Sequence, residues 1–201
     1  MGKVLILNGS PRAPRSNSAK YAELFMQKFQ GSCQTINITK ENHNRICSVL
    51  SDFTDVLLIF PLYADGIPAI LLDFLKDMES CQMTDKPVVS VIVNCGFREA
   101  YQNDTAVEIV QFFCKKNGFV FGSALKIGSG EAILDTPFRF LVKNKIKKMA
   151  SAICSGKKCV LQVTMPLSAS SFVKASTNYW LRYGQRNGIT REEMDTMEIE
   201  N

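Results

Sequence analysis

The chain has 201 residues, 46% of them hydrophobic and 21% charged, proportions that suit one globular domain. They exclude a disordered chain, a collagen-like repeat and a coiled coil, and apolar runs such as residues 56–61 and 67–72 fall short of the roughly 18–20 residues of a membrane helix. The net charge of +5 is unevenly spread: residues 136–191 hold eleven Lys or Arg and no Asp or Glu, leaving 13 basic and 19 acidic residues, a net of −6, elsewhere.

Strand and helix signals alternate from the start. Residues 3–8 (KVLILN) read as a buried strand ending at Gly9. Past a polar stretch, Ala22, Phe25, Met26 and Phe29 recur at i, i+3, i+4 and i+7, the apolar face of a helix. Residues 34–38 give a weaker strand, and residues 55–61 (DVLLIFP) a buried one closed by proline. Leu71, Phe74, Leu75 and Met78 mark the next helix, with Pro68 in its first turn, where a missing N–H costs nothing. A fourth strand spans residues 87–94 (PVVSVIVN). Ala106, Ile109, Val110, Phe113 and Cys114 then form a helical face stopped by Asn117-Gly118. Residues 119–127 are a fifth strand, ending at Gly128-Ser129-Gly130. Val142, Ile146, Met149 and Ile153 predict a long basic helix after Pro137. Residues 159–165 are a candidate edge strand and 172–186 a further helix. The alternation predicts an α/β fold with a parallel sheet covered on both faces, residues 1–165 forming the domain and 166–201 a C-terminal helical extension of it.

In such a sheet, ligands bind beyond the carboxyl ends of the strands, where strand order reverses. Three loops qualify. The first, residues 9–18 (GSPRAPRSNS), sets the hydroxyls of Ser10, Ser16 and Ser18, the amide of Asn17 and the N–H groups of a helix start beside the Arg12 guanidinium. That is a donor set for a phosphate dianion. A plain capped turn explains fewer of those donors. The loop lacks the Gly-Lys-Ser/Thr of a Walker loop and is not GxGxxG, which counts against ATP, GTP and a dinucleotide held by the usual fingerprint. The second loop is Pro61, Leu62, Tyr63, Ala64, Asp65 and Gly66. The third is Asn94, Cys95, Gly96 and Phe97, running on to Tyr101. Tyr63 or Phe97 alone reads as packing; the two loops flanking a phosphate loop suit a flat heterocycle with a phosphate tail.

Conventional catalytic sets are missing. His43, the sole histidine, lies in a polar stretch and is expected to face solvent, which removes Ser-His-Asp, Cys-His and multi-histidine metal chemistry. Asp65, Glu99 and Glu131 lie near strand ends without pairing and read as surface carboxylates. The seven cysteines (Cys33, Cys47, Cys81, Cys95, Cys114, Cys154 and Cys159) form no CxxC and are expected to be reduced thiols in a cytoplasmic protein. Residues 4–7 are too short for a signal-peptide core, and Ile6 breaks the myristoylation pattern after Gly2. The basic stretch 136–191 reads as a solvated or dimer-facing surface, because no nucleic-acid-binding module accompanies it. An enzyme with so few catalytic side chains works through a cofactor.

Gly9-Ser10-Pro11-Arg12, followed by Ser16-Asn17-Ser18, resembles the phosphate loop of the NADPH-dependent FMN reductase family, in the flavodoxin-like superfamily. Pro61-Leu62-Tyr63, running into Ile67-Pro68 and the helix ending Leu75-Lys76-Asp77, looks like that family's second flavin loop. Asn178-Tyr179-Trp180 and residues 184–190 (GQRNGIT) resemble the C-terminal segment of a bacterial NAD(P)H:flavin/quinone oxidoreductase subgroup. The resemblance implies a doubly wound, five-stranded flavodoxin-like sheet, non-covalent FMN, NADPH or NADH as reductant, and a homodimer. Ser10, Arg12, Ser16, Asn17 and Ser18 would hold the FMN phosphate, with Pro11 in the same loop. Residues 61–66 and Asn94, Cys95, Gly96 and Phe97 would edge the isoalloxazine ring. A nicotinamide would stack on the open face and pass hydride to N5, before a small quinone, flavin, azo or nitro acceptor takes its place. No catalytic side chain and no metal are implied. The alternative is a non-enzymatic flavodoxin-like electron carrier or redox-responsive binding protein; such carriers are usually acidic, and this chain is basic.

Overall fold

Each apolar run expected to be a strand is one in the computed structural model, which describes residues 2–196. The strands are β1 (Lys3–Asn8), β2 (Ser32–Asn37), β3 (Asp55–Pro61), β4 (Val88–Asn94), β5 (Phe121–Ile127) and β6 (Val160–Val163). All pair in parallel, in the order β2-β1-β3-β4-β5-β6. The helices between them are α1 (Asn17–Met26), α2 (His43–Val49), α3 (Ala69–Ser80), α4 (Asp104–Lys116) and α5 (Arg139–Cys154). The sheet has six strands where the resemblance implies five. The candidate edge strand pairs outside β5, from Ala124 with Val160 to Ile127 with Val163, and so satisfies backbone groups that a five-stranded sheet leaves on an open edge.

Strand alternation sends side chains to both faces. Leu5, Leu7, Val56, Leu58, Phe60, Val89, Val91 and Val93 join one core with Ile46 of α2, Leu71, Phe74, Leu75 and Met78 of α3, and Ala106, Val110 and Phe113 of α4. The intervening residues Val4, Ile6, Leu57, Ile59 and Ile92 are equally buried, on the face that α1 and α5 cover. α1 is rotated relative to its sequence reading. Tyr21, Ala22 and Phe25 form its buried face, Met26 is 37% exposed, and Phe29 is buried beyond the helix end. In α4, Val107 rather than Ile109 completes the buried face.

Two expectations fail at α2, a helix that the polar stretch conceals. His43 does not face solvent: it is 6% exposed, its Nδ1 lies 2.5 Å from Asp77 Oδ2, and its ring meets Phe74 edge-on. Nor are all cysteines reduced. Cys47 of α2 and Cys81, which caps α3, form a disulfide, while Cys33, Cys95, Cys114, Cys154 and Cys159 are free. Both contacts link residues 34 apart in sequence, which no local pattern reveals.

The chain divides into two compact units between Met165 and Pro166. The second holds α6 (Ala169–Arg186) and α7 (Arg191–Thr196). α6 starts before the expected residue 172 because Ser168 caps it, accepting from Ser171 N–H at 3.2 Å. Thr190 and Glu193 form a reciprocal capping box at the start of α7. No helix among the described residues is long and apolar enough to cross a membrane. Met1 and residues 197–201 lie outside the described residues.

Candidate functional site

Strand order reverses beside β1, whose neighbours are β2 and β3. A cavity of about 620 Å³ opens there, beyond the carboxyl ends of β1, β3 and β4. Its first wall depends on Asn8, the last residue of β1, which is fully buried. Asn8 Oδ1 accepts from Ser10 N–H at 3.0 Å, and Nδ2 donates to Asn37 Oδ1 at 3.0 Å and to Ser16 Oγ at 3.5 Å. One buried amide therefore ties both ends of the first loop. Ser16 caps α1, its Oγ accepting from Ala19 N–H at 3.2 Å. Ser10 Oγ accepts from Arg12 N–H at 3.3 Å, and Ser18 Oγ from Asn94 Nδ2 at 3.3 Å. All three hydroxyl oxygens thus already accept an N–H, and each hydroxyl has its own proton as a donor.

The second wall is Pro61, Leu62 and Tyr63, fixed where Leu62 N–H donates to Asn94 O at 2.8 Å. Tyr63 and Gly66 then close a tight turn through paired backbone bonds, with Ala64 at φ 44° and Asp65 at φ 56°, a type I′ geometry. Asn94 is buried, and its Nδ2 also reaches Phe60 O at 3.1 Å. Cys95 beside it is buried as well. Desolvation pushes its thiol pKa up, so it is a protonated thiol rather than an activated nucleophile.

Behind the third loop lies the turn after β5. Gly130 N–H donates to Cys95 O at 2.7 Å and Ser129 N–H to Phe97 O at 2.5 Å. A Cβ at Gly128 would stand 2.5 Å from Arg98 O, and one at Gly130 2.8 Å from Asn94 Cβ, so glycine permits this close approach. From α1, the buried Tyr21 hydroxyl donates to Gly130 O at 2.6 Å, and Asn17 Nδ2 donates to Glu131 O at 3.2 Å. Burial, first, and the nearby Asp135, Cys95 and Glu131 push the Tyr21 phenol well above its ordinary pKa.

Of the residues expected at the site, Ser10, Arg12, Ser16, Asn17, Ser18, Pro61, Leu62, Tyr63, Asn94, Cys95 and Gly96 line the cavity. Pro11, Ala64, Asp65, Gly66 and Phe97 are not among the lining residues. Pro11 lies on the outer turn of the first loop, Ala64 and Asp65 form the exposed tip of the second, Gly66 closes that tip, and Phe97 is 51% exposed. The lining also includes residues not expected at the site: Arg15 just before α1, Lys20 and Glu23 on its first two turns, and Glu131 after β5. Glu131 Oε1 stands 3.8 Å from Arg12 Nη1, so a carboxylate read as a surface group shares the cavity with the guanidinium. The cavity therefore carries the cations Arg12, Arg15 and Lys20 against Glu23 and Glu131. Among the described residues, no three His, Cys, Asp or Glu side chains gather as a metal site.

A parallel sheet in this order, with the cavity at its reversal point, is the flavodoxin-like architecture. Solved structures agree. An azoreductase from Bacillus anthracis str. Sterne superposes with TM-score 0.56 at 14% identity, covering 77% of this chain and 100% of that one. An NADPH-quinone reductase from P. pentosaceus gives 0.57 at 14%, covering 77% and 98%. Flavodoxin 1 from Bacillus cereus gives 0.57 at 20%, covering 76% and 97%. No family model and no curated protein matches the chain. At these identities the likeness establishes the flavodoxin-like fold.

Proposed function

We propose that this protein is an FMN-dependent NAD(P)H oxidoreductase that passes reducing equivalents to a quinone, flavin, azo or nitro compound. The observation that carries the reading is the convergence of Ser10, Ser16 and Ser18, each with its hydroxyl oxygen already accepting an N–H, at the mouth of α1. Three O–H donors, the Asn17 amide, the helix start and Arg12 match an acceptor-rich dianion. The apolar wall of Pro61, Leu62 and Tyr63, and a volume inside the roughly 300–1,000 Å³ of small-molecule sites, fit a flat ring attached to it. The residues present therefore fit FMN. FMN, when bound, supplies two-electron transfer between a nicotinamide and the acceptor.

The chain's own groups bind and orient. Ser10, Ser16, Ser18 and Asn17 would donate to the phosphate, and Arg12 would add a charge-assisted contact. The rigid turn 63–66 and the Asn94–Gly130 packing fix the backbone along the two ring-facing loops. The partly exposed Tyr63, at 42%, leaves the mouth open to a second ligand. The fold is shared by an azoreductase, an NADPH-quinone reductase and a flavodoxin, and the chain's net charge of +5 favours the reductase reading over an acidic carrier. The resemblance extends the proposal to a cytoplasmic homodimer, which light scattering on the purified protein tests.

The deciding experiment is an anaerobic visible spectrum of FMN-loaded protein during addition of NADPH, then NADH. Rapid bleaching of the flavin band is expected. A bound flavin that stays oxidised with both nucleotides refutes the reductase reading and points instead to a carrier fed by another protein.

A further inference from the structure

Two rungs join α2 to α3 on the side of the sheet remote from α1. The first is His43 Nδ1 with Asp77 Oδ2 at 2.5 Å, buried on the His43 side and backed by the edge contact with Phe74. The second is the Cys47–Cys81 disulfide, with Cα atoms 6.2 Å apart. His43 and Cys47 stand four residues apart on α2, as do Asp77 and Cys81 at the end of α3, so the rungs lie one helical turn from each other.

From this ladder we infer that Cys47 and Cys81 are a thiol–disulfide exchange site, opened by a small thiol of the glutathione class and closed by the disulfide form of that thiol. Three observations converge. Both cysteines are only partly buried, so a small thiolate reaches the bond. The chain leaves its other five cysteines unpaired, including the exposed Cys154, so the bond is not part of an exhaustively oxidised framework of the kind that staples disulfide-dense domains. The His43–Asp77 rung is independent of the bond. It holds α2 on α3 after reduction, while Ile46 of α2 remains in the core, so the two thiols stay at high effective concentration and re-close readily.

The exchange balances. A thiolate attacks one sulfur of the pair, the Cys47–Cys81 bond breaks, and the other sulfur leaves as a thiolate that takes a proton. A second thiolate then resolves the mixed disulfide. Two small thiols are oxidised to one disulfide, and Cys47 and Cys81 gain two electrons and two protons. The site is separate from the cavity: α3 has twelve residues, about 18 Å of helix, between Pro68 after the second loop and Cys81. The inference therefore does not rest on the flavin reading.

The test equilibrates the native protein in buffers of stepped reduced and oxidised glutathione, followed by acid quenching, maleimide mass-tagging and peptide mapping. The expected result is a two-thiol change confined to the Cys47 and Cys81 peptides, reversible on returning the buffer, with the circular dichroism of the fold unchanged. A bond that opens only in denaturant, or cysteines that stay reduced in every buffer, overturns the inference. Asp77→Ala should lower the equilibrium constant for closing the bond about tenfold, and Asp77→Asn, which keeps the acceptor oxygen, should restore most of it. Closing constants equal to wild type in a folded Asp77→Ala protein overturn the positioning role of the first rung. The wild-type measurement stands whether or not that variant folds.

Discussion

Tyr21→Phe removes one oxygen from the interior. The Tyr21 side chain is fully buried, and its hydroxyl donates to Gly130 O at 2.6 Å, on the glycine whose N–H holds Cys95 in the third loop. Phenylalanine fits the ring space but leaves the Gly130 carbonyl without that donor, at a cost of about 1–3 kcal/mol near pH 7. The pH dependence sharpens the test. The folded phenol titrates well above its ordinary value because burial disfavours the phenolate. The unfolded phenol titrates at about 10. The stability contributed by the raised group is therefore fully present below pH 10 and is lost as pH rises above it, because the unfolded chain releases a proton that the folded one keeps. Wild type loses about 1.4 kcal/mol per pH unit on this account, and the variant loses none. Urea denaturation of both proteins at pH 7 and at pH 11 should show a gap that narrows by about 1.4 kcal/mol. Other alkaline titrations cancel in the comparison. A gap unchanged between the two pH values would mean that the Tyr21 hydroxyl is not held neutral inside the fold, and the reasoning fails.

Other perturbations give signs as well as sizes. Arg12→Ala should weaken FMN binding about tenfold, the modest end for a charge-assisted contact because the side chain is largely exposed. Glu131→Gln should tighten it, since the carboxylate 3.8 Å from Arg12 competes with a dianion. Flavin fluorescence titration checks both, and equal affinities in all three proteins would remove the first loop from the phosphate site. Ala64→Gly should stabilise the protein by roughly 1 kcal/mol, because Ala64 holds φ 44° in a region that costs an L-residue about 1–2 kcal/mol. A fall in Tm refutes that reading of the turn. Replacing both Cys47 and Cys81 by Ser should cost about 3–4 kcal/mol relative to the oxidised protein, from the loop entropy of a crosslink spanning 34 residues. A loss below about 1 kcal/mol would show that the unfolded chain is already constrained there.

Buried strands are legible because one physical requirement, burial on both faces, writes itself into consecutive residues. β1 and β3 begin and end where KVLILN and DVLLIFP do, and the four apolar residues expected on α3 are its buried ones. α2 is hidden because one apolar anchor, Ile46, with the buried Leu50 just past its end, suffices for a seven-residue helix whose other contacts come from a distant segment. The same holds for His43. Its polar neighbours in sequence suggested solvent, but its neighbours in space are Phe74 and Asp77 of α3.

The site shows the same division. Hydroxyls and glycines after strand ends announced a ligand loop, yet the residue that shapes it, Asn8, sits inside a strand and passes for its last polar residue. A signal was present: β1, β2 and β4 each end in asparagine, at Asn8, Asn37 and Asn94. An asparagine closing an apolar parallel strand must spend its amide on groups beyond the sheet, because a buried polar side chain without partners is costly. Asn8 spends its amide on Ser10, Ser16 and Asn37, and Asn94 on Ser18 and Phe60. These amides supply the N–H groups that Ser16 and Ser18 accept, and so help to turn the hydroxyls outward as donors. Replacing Asn8 by Leu, nearly the same size, would keep the burial but release both ends of the loop. It should therefore weaken FMN binding more than Arg12→Ala does, although Asn8 is not among the residues that line the cavity.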